Sequence, residues 1–410
     1  MKGPPPRPHP LARSPRVEKA NRFFSRAWEK GWLPPPTLDP EALWKSAAKP
    51  LGDLAGPAES AARAAAEVDD FRERLGHLTK AARDEADLNP LGQVMAHGQL
   101  ERVIRKRLRM GAVWLERPEM AQTPIAPPII IIGHMRSGTT RLHALLAADP
   151  AHAHTRYCDA FHPVPGKQID LREWKAAFEI AFLSSLNPWL QSIHPIASAK
   201  VEEELGWLAG ALQASIYESQ WRVPSYTQWS EARDASAVYS EFARVLRTDA
   251  GHRGNANRPR VMKVPVFSEN LPELLNAFPE ARLIIAERDR DDVHRSAVSL
   301  VANQMAVQSD TCELATIEAE WRRKIDMREK RREAALKNWQ GPLTRLSFEE
   351  LNVDWQSALT RAYRDLGLEL TAAALSAMRR FVEGSRKGQH HAHAQQLSRF
   401  EPATQKGAAL

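Results

Sequence analysis

The residues best suited to chemistry are the octet Gly133-His134-Met135-Arg136-Ser137-Gly138-Thr139-Thr140, set between an apolar run and a helical pattern. A turn of this kind aims several backbone N–H groups, and the positive end of the following helix, at one point. A phosphate oxygen is the natural occupant of that point. Glycines let the backbone come close to such an anion. Gly133 and Gly138 have the spacing of the Walker frame G-x-x-x-x-G-K-[ST], but Thr139 stands where that frame has lysine. The lysine reaches the terminal phosphates of ATP, so its loss argues against an ordinary kinase or ATPase. Here a cation is supplied from inside the loop, by Arg136.

On these residues the sequence resembles the sulfotransferase superfamily. Its members hold the 5′-phosphosulfate of PAPS (3′-phosphoadenosine-5′-phosphosulfate) on a loop of the form (K/R)-S-G-T-T, matched by Arg136, Ser137, Gly138, Thr139 and Thr140. The resemblance implies a second element for the 3′-phosphate, an arginine followed eight residues later by a serine. Arg288 and Ser296 have that separation. A strand end and the first turn of the next helix can converge on one anion, where arginine offers a planar fork and serine a hydroxyl. The segment Phe278-Pro279-Glu280-Ala281-Arg282 through Asp289 is similar to the branch pattern F-P-x-A-(R/K)-x-x-x-x-x-R-D-P, with Arg290 where proline is usual.

Sulfuryl transfer, as an in-line displacement, needs positioning, cations and a base for the acceptor proton. Met262-Lys263-Val264-Pro265 resembles the K-x-P segment of tyrosylprotein and related sulfotransferases, which implies that Lys263 joins Arg136 in stabilising the transferring group. The same branch carries a glutamate just before a P-x-P. Asp159, four residues before Pro163, falls at that place, and the resemblance implies Asp159 as general base, with His162 and His194 as alternatives. Glu202 and Glu203 read as a solvated helix face. No carboxylate cluster calls for a metal. The run Arg386 to His393 is irregular, and the resemblance offers it a role as a basic flap over the 3′-phosphate.

These residues need elements to hold them. Ile129 to Ile132 is a continuous apolar run, as expected of a strand covered on both faces. After the loop, Leu142, Leu145 and Leu146 recur at helical spacing. Further strands are expected at Val261–Val264, Arg282–Ala286 and Leu343–Phe348, each followed by a helical pattern, with Gly367 ending the helix that starts at Trp355. Alternating strands and helices predict an α/β fold with a P-loop-like central parallel sheet flanked by helices. Three regions are expected: a disordered Pro/Arg-rich tail over 1–16, a helical region over 17–122, and the sulfotransferase-like domain over 127–400. The stretch 166–250 reads as mostly helical. Its tryptophans (Trp174, Trp189, Trp207, Trp221 and Trp229) suggest an apolar or carbohydrate acceptor.

The 410 residues are 43% hydrophobic and 26% charged, as in ordinary globular proteins. A net charge of +7 suits either a polyanion partner or phosphate- and sulfate-bearing ligands. Two cysteines exclude a disulfide framework and fit a reducing, cytoplasmic location. Neither a secretory leader nor the roughly 20 apolar residues of a spanning helix is evident. The expectation is therefore a PAPS-dependent enzyme acting on a small-molecule, carbohydrate or peptide acceptor, with no nucleic-acid or membrane partner. A phosphotransferase with an altered loop and a non-catalytic nucleotide-binding module remain as alternatives.

Overall fold

The structure is a computed structural model and describes residues 7–49, 57–65, 67–164, 166 and 169–385. Five strands, β1 (Ile129–Ile132), β2 (Ala153–His154), β3 (Arg260–Lys263), β4 (Arg282–Glu287) and β5 (Leu343–Ser347), form one sheet in the order β2-β3-β1-β4-β5. Every pairing is parallel. Ile131 lies beside Lys263 on one side and Ile284 on the other. The carboxyl ends of β3, β1 and β4 therefore stand together, where open α/β sheets bind their ligands. The expected fold class is the one observed, and β2 is the strand that sequence pattern does not reveal. Two residues paired to Arg260 and Val261 are too few to show a period.

Successive side chains of a strand point to opposite faces. Ile130 and Ile132 join Met262, Leu283 and Ile285 in packing on Tyr239 and Phe242 of the helix Ser236–His252. Ile129 and Ile131 join Val261 and Ile284 against Leu142, Leu145, Trp355 and Leu359. All four isoleucines are fully buried, which explains the unbroken apolar run. The helix Trp355–Asp365 ends as expected at Gly367, whose φ is +64°, with the Leu368 N–H donating to the Tyr363 carbonyl at 2.8 Å.

Before the sheet come helices Pro15–Glu29, Pro40–Ala48, Pro57–Ala64, Val68–Asp84 and Pro90–Glu116. Leu43, Phe71, Leu75, Leu100 and Ile104 from this region share one core with Tyr217, Trp221 and Tyr226. The expectation of disorder over 1–16 does not hold for residues 7–16. The Arg7 guanidinium is buried and donates to the Ser299 carbonyl at 3.2 Å, Ala12 is buried, and Ser14 caps the first helix. Proline there is a helix-start residue at N1 rather than a mark of disorder. The tryptophans are also reassigned. Trp189, Trp207 and Trp221 are core residues, Trp229 stacks on His77 at 4.2 Å, and Trp174 alone of the five is exposed.

Candidate active site

The octet Gly133–Thr140 leaves the end of β1 and enters the helix Thr139–Ala147, whose first N–H groups, those of Thr139 and Thr140, have no partner within the helix. Gly138 holds φ +80°, and a Cβ there would lie 2.6 Å from the ring of Phe348. Glycine is thus required both by conformation and by space. Arg136 also has a positive φ, +71°, an uncommon state for a side-chain-bearing residue. Its Nε donates to Ser296 Oγ at 2.8 Å and its Nη1 to the Ile193 carbonyl at 3.0 Å. Arg288, just past β4, donates from Nη1 to the Arg136 carbonyl at 2.8 Å and lies over the Phe348 ring at 4.2 Å. The two motifs, separated by 160 positions between Arg136 and Ser296, form one cluster. In place of the usual proline, Asp289 sets the turn: its Oδ1 accepts from the N–H groups of Asp291 and Asp292, both at 3.0 Å, so the helix starts with Arg290 at its first position.

Lys263 ends β3 and is buried. Its Nζ donates to Thr140 Oγ1 at 3.3 Å and to the Glu203 carboxylate. Lys263 therefore points into the loop rather than snorkelling to water. Glu202 and Glu203 do not form a solvated helix face. They belong to a turn that follows the short pairing of Arg156 with Val201, and Glu202 pairs with His194 at 3.5 Å. Burial pulls the His194 pKa down, but the charges of Glu202 and Glu203 outweigh it and leave the imidazole above its ordinary value. Glu204 is fully buried, accepts from the Lys263 N–H at 3.0 Å, and is pushed up to about 7 by burial. A hint of this cluster was present in the sequence, as three successive acids seven to ten residues after His194-Pro195 with no apolar period.

Asp159 does not join this group in the way expected. It is fully buried, and its oxygens accept from Arg156 Nε at 2.8 Å and Nη2 at 2.9 Å and from Arg253 at 3.0 Å, with Arg172 at 3.4 Å. Burial alone would raise its pKa, but the guanidiniums of Arg156, Arg253 and Arg172 hold the carboxyl below its usual range. A carboxylate so held has little affinity for a proton, which weighs against the base role expected of Asp159. His162 lies elsewhere, paired with Glu179 at 3.2 Å.

The loop fits an anion on several counts. Arg288 Nε is buried without a hydrogen-bond partner. Burial, and then repulsion from Arg288, pull the Arg136 pKa down. A phosphate or sulfate between the two guanidiniums would relieve both conditions. Among the described residues, no group of three or more His, Cys, Asp or Glu could hold a metal ion. The run Arg386 to His393 lies outside the described residues.

Comparison with known proteins follows the same line. Residues 127–372 match the sequence profile of the Sulfotransferase family. Two curated relatives are omega-hydroxy-beta-dihydromenaquinone-9 sulfotransferases of Mycobacterium bovis and Mycobacterium tuberculosis. Each is 27% identical over 186 residues, 44% of this chain and 47% of the relative. The chain thus spans about half the length of the curated relatives it matches. The crystal structure of sulfotransferase STF1 from Mycobacterium tuberculosis superposes with a TM-score of 0.73 at 26% identity, covering 88% of this chain and 98% of that one. Sulfotransferase STF9 from Mycobacterium avium shares the fold, with a TM-score of 0.72 at 20% identity over 82% of this chain and 91% of its own.

Proposed function

The chain belongs to the sulfotransferase family, and from that premise we propose that it transfers the sulfuryl group of PAPS to a hydroxyl of a small-molecule acceptor. The observation that carries this reading is the junction of Arg136, Ser296 and Arg288 on a phosphate-type loop that lacks the Walker lysine. In it, Arg136, Ser137, Gly138, Thr139 and Thr140 hold the 5′-phosphosulfate, while Arg288 and Ser296 hold the 3′-phosphate. Bound there, PAPS supplies an activated sulfur whose leaving group is a phosphate.

Lys263 and Arg136 offset the charge on the non-bridging oxygens as the acceptor oxygen bonds to sulfur and the bond to the bridging phosphate oxygen breaks. The electron pair of that bond leaves on the phosphate, giving adenosine 3′,5′-bisphosphate. The acceptor proton passes to His194, whose imidazole is oriented by Glu202 and lies one residue from the carbonyl that Arg136 grips. A histidine held by a carboxylate is a familiar arrangement for a general base, and the raised pKa favours proton uptake. The relatives named for a hydroxylated dihydromenaquinone support a small-molecule hydroxyl as acceptor. Both cysteines are free, which supports a cytoplasmic location, and no described helix is long and apolar enough to cross a membrane.

Thermal unfolding with adenosine 3′,5′-bisphosphate, beside ATP with magnesium, tests the reading. A ligand at about a hundred times its dissociation constant adds roughly 2.7 kcal/mol of stability. Stabilisation by the bisphosphate alone, abolished in Arg288→Glu, is the expected result. Stabilisation by ATP with magnesium alone would hand the site to a phosphotransferase.

A further inference from the structure

Beyond the sheet, a cavity of about 790 Å³ lies among the helices Pro15–Glu29, Pro90–Glu116, Arg172–Leu186 and Leu205–Gly210. Protein interiors pack at the density of organic crystals, and small-molecule pockets run from about 300 to 1,000 Å³. A space of this size is too large for a packing fault and falls in the range of ligand pockets. Much of its wall is apolar, with Phe24, Leu91, Met95, Leu183 and Leu186. Its rim is open to the surface at Phe23 and Phe182, which are 54% and 50% exposed. Phe182 continues an outer stripe of helix Arg172–Leu186 whose other members, Trp174 and Phe178, are 77% and 76% exposed at helical spacing. Large aromatics are rarely left so bare in a row.

One wall of the cavity is joined to the chemistry by a short stretch of chain. Gly206 and Trp207 line it, and the helix that carries them starts directly after Glu202, Glu203 and Glu204. Three residues of chain span at most about 11 Å, so Gly206 stands within that distance of Glu203, the partner of Lys263. The other wall of the same segment is Tyr157 and Phe161, on the short helix Tyr157–Phe161 that follows β2.

We propose that this cavity takes the apolar chain of the acceptor, so that the acceptor is an amphiphile: an elongated hydrocarbon with a hydroxyl at the end that meets Lys263 and His194. The proposal rests on the transfer reading above. It makes the cavity, rather than contacts near the loop, the source of acceptor specificity. Burying each methylene of such a chain tightens binding about fourfold, which is about 0.8 kcal/mol.

Two glycines provide a clean test. Gly98 and Gly210 both line the cavity, and a Cβ at either meets nothing within 4 Å. A side chain at Gly98 starts in open space, and leucine is a better helix former than glycine, so Tm should hold or rise. Calorimetric titration with primary alcohols from hexanol to decanol should show Kd falling about fourfold per methylene in the wild-type protein. In Gly98→Leu, decanol should weaken by about tenfold or more while hexanol and adenosine 3′,5′-bisphosphate bind as before. The alkyl sulfates should form from PAPS with KM following the same trend.

Affinity that is flat with chain length, or unchanged in both Gly98→Leu and Gly210→Leu, overturns the proposal. Tight alcohol binding without alkyl sulfate, in a protein that binds the bisphosphate, also overturns it and leaves the transfer reading intact. Chain-length-dependent binding in a protein that ignores the bisphosphate supports the cavity's ligand class and strikes the transfer reading instead.

Discussion

Two buried carboxylate clusters lie within about fifty residues of each other in sequence, and they are assembled in opposite ways. Asp159 is gripped by three guanidiniums, those of Arg156, Arg172 and Arg253, of which Arg172 is shared with Asp170. Around Lys263 there are Glu203 and, next to it, the pair of Glu202 with His194. Asp159 and Lys263 are themselves screened from water. In the first, the guanidiniums hold the Asp159 carboxyl below its usual range. In the second, charge is nearly balanced, the histidine's pKa is raised, and the lysine touches Thr140 of the anion loop. Burial close to a motif therefore does not make a base. The sign and number of the neighbouring charges decide whether a group can accept a proton during the reaction.

Mutation can break this contrast at its widest point. His194→Gln is expected to lower kcat by about 10²–10⁴, the usual worth of a placed base, in steady-state assays normalised to folded protein. Asp159→Asn, measured the same way, is expected to stay near the wild-type rate. Equal losses in the two variants would erase the distinction. Lys263→Ala comes next. Removing a group that stabilises transition-state charge costs about 10²–10³ in kcat, and bisphosphate affinity should be retained, because the 3′-phosphate is assigned to Arg288 and Ser296.

Stability should run the other way. Breaking a buried ion pair by removing one partner costs about 3–5 kcal/mol, so Asp159→Asn is expected to unfold at markedly lower urea, while His194→Gln is not. The pH dependence follows from the sign of the shift. The native Asp159 pKa lies below its unfolded value of 3.8, so its stabilisation is present above that pH and is lost as pH falls through the native value. Acid titration of wild type against Asp159→Asn, followed by circular dichroism, checks it.

The smallest effect sharpens the second cluster. A base must be neutral to act, so the rate should rise with pH through the His194 pKa, which lies above the ordinary 6.5. Glu202 is a positioning residue that raises that value. Glu202→Gln should move the rising limb of the kcat profile to lower pH, and a limb that stays in place would sever Glu202 from His194.

How much of this could be read from the chain varies by element. The loop Gly133–Thr140 was legible because its features are local. Backbone N–H groups, Gly138 and the first helical turn are consecutive residues, so their spacing is their geometry. Four of the five strands were legible as short runs between helical patterns, most plainly Ile129–Ile132, which is buried on both faces and apolar throughout. Arg288 with Ser296 was legible as a spacing. Their meeting with Arg136 was a matter of sheet order, since β4 lies beside β1 although 150 residues separate them.

The surroundings of Asp159 were not legible, because the sequence distance from Asp159 to Pro163 says nothing about Arg253, which arrives from the far end of the helix Ser236–His252. Glu203 was passed over because its partner, Lys263, is sixty positions away and meets it only through the placement of β3. The ordered segment 7–16 was passed over because its anchor, Ser299, lies on a helix nearly three hundred residues later. Sequence alone thus determined the local devices, the loop, the strands, the helix stops, and through them the fold class. Tertiary structure decided which charges face one another. Electrostatic tuning depends on distance through space, and a parallel sheet brings together residues that the chain keeps far apart.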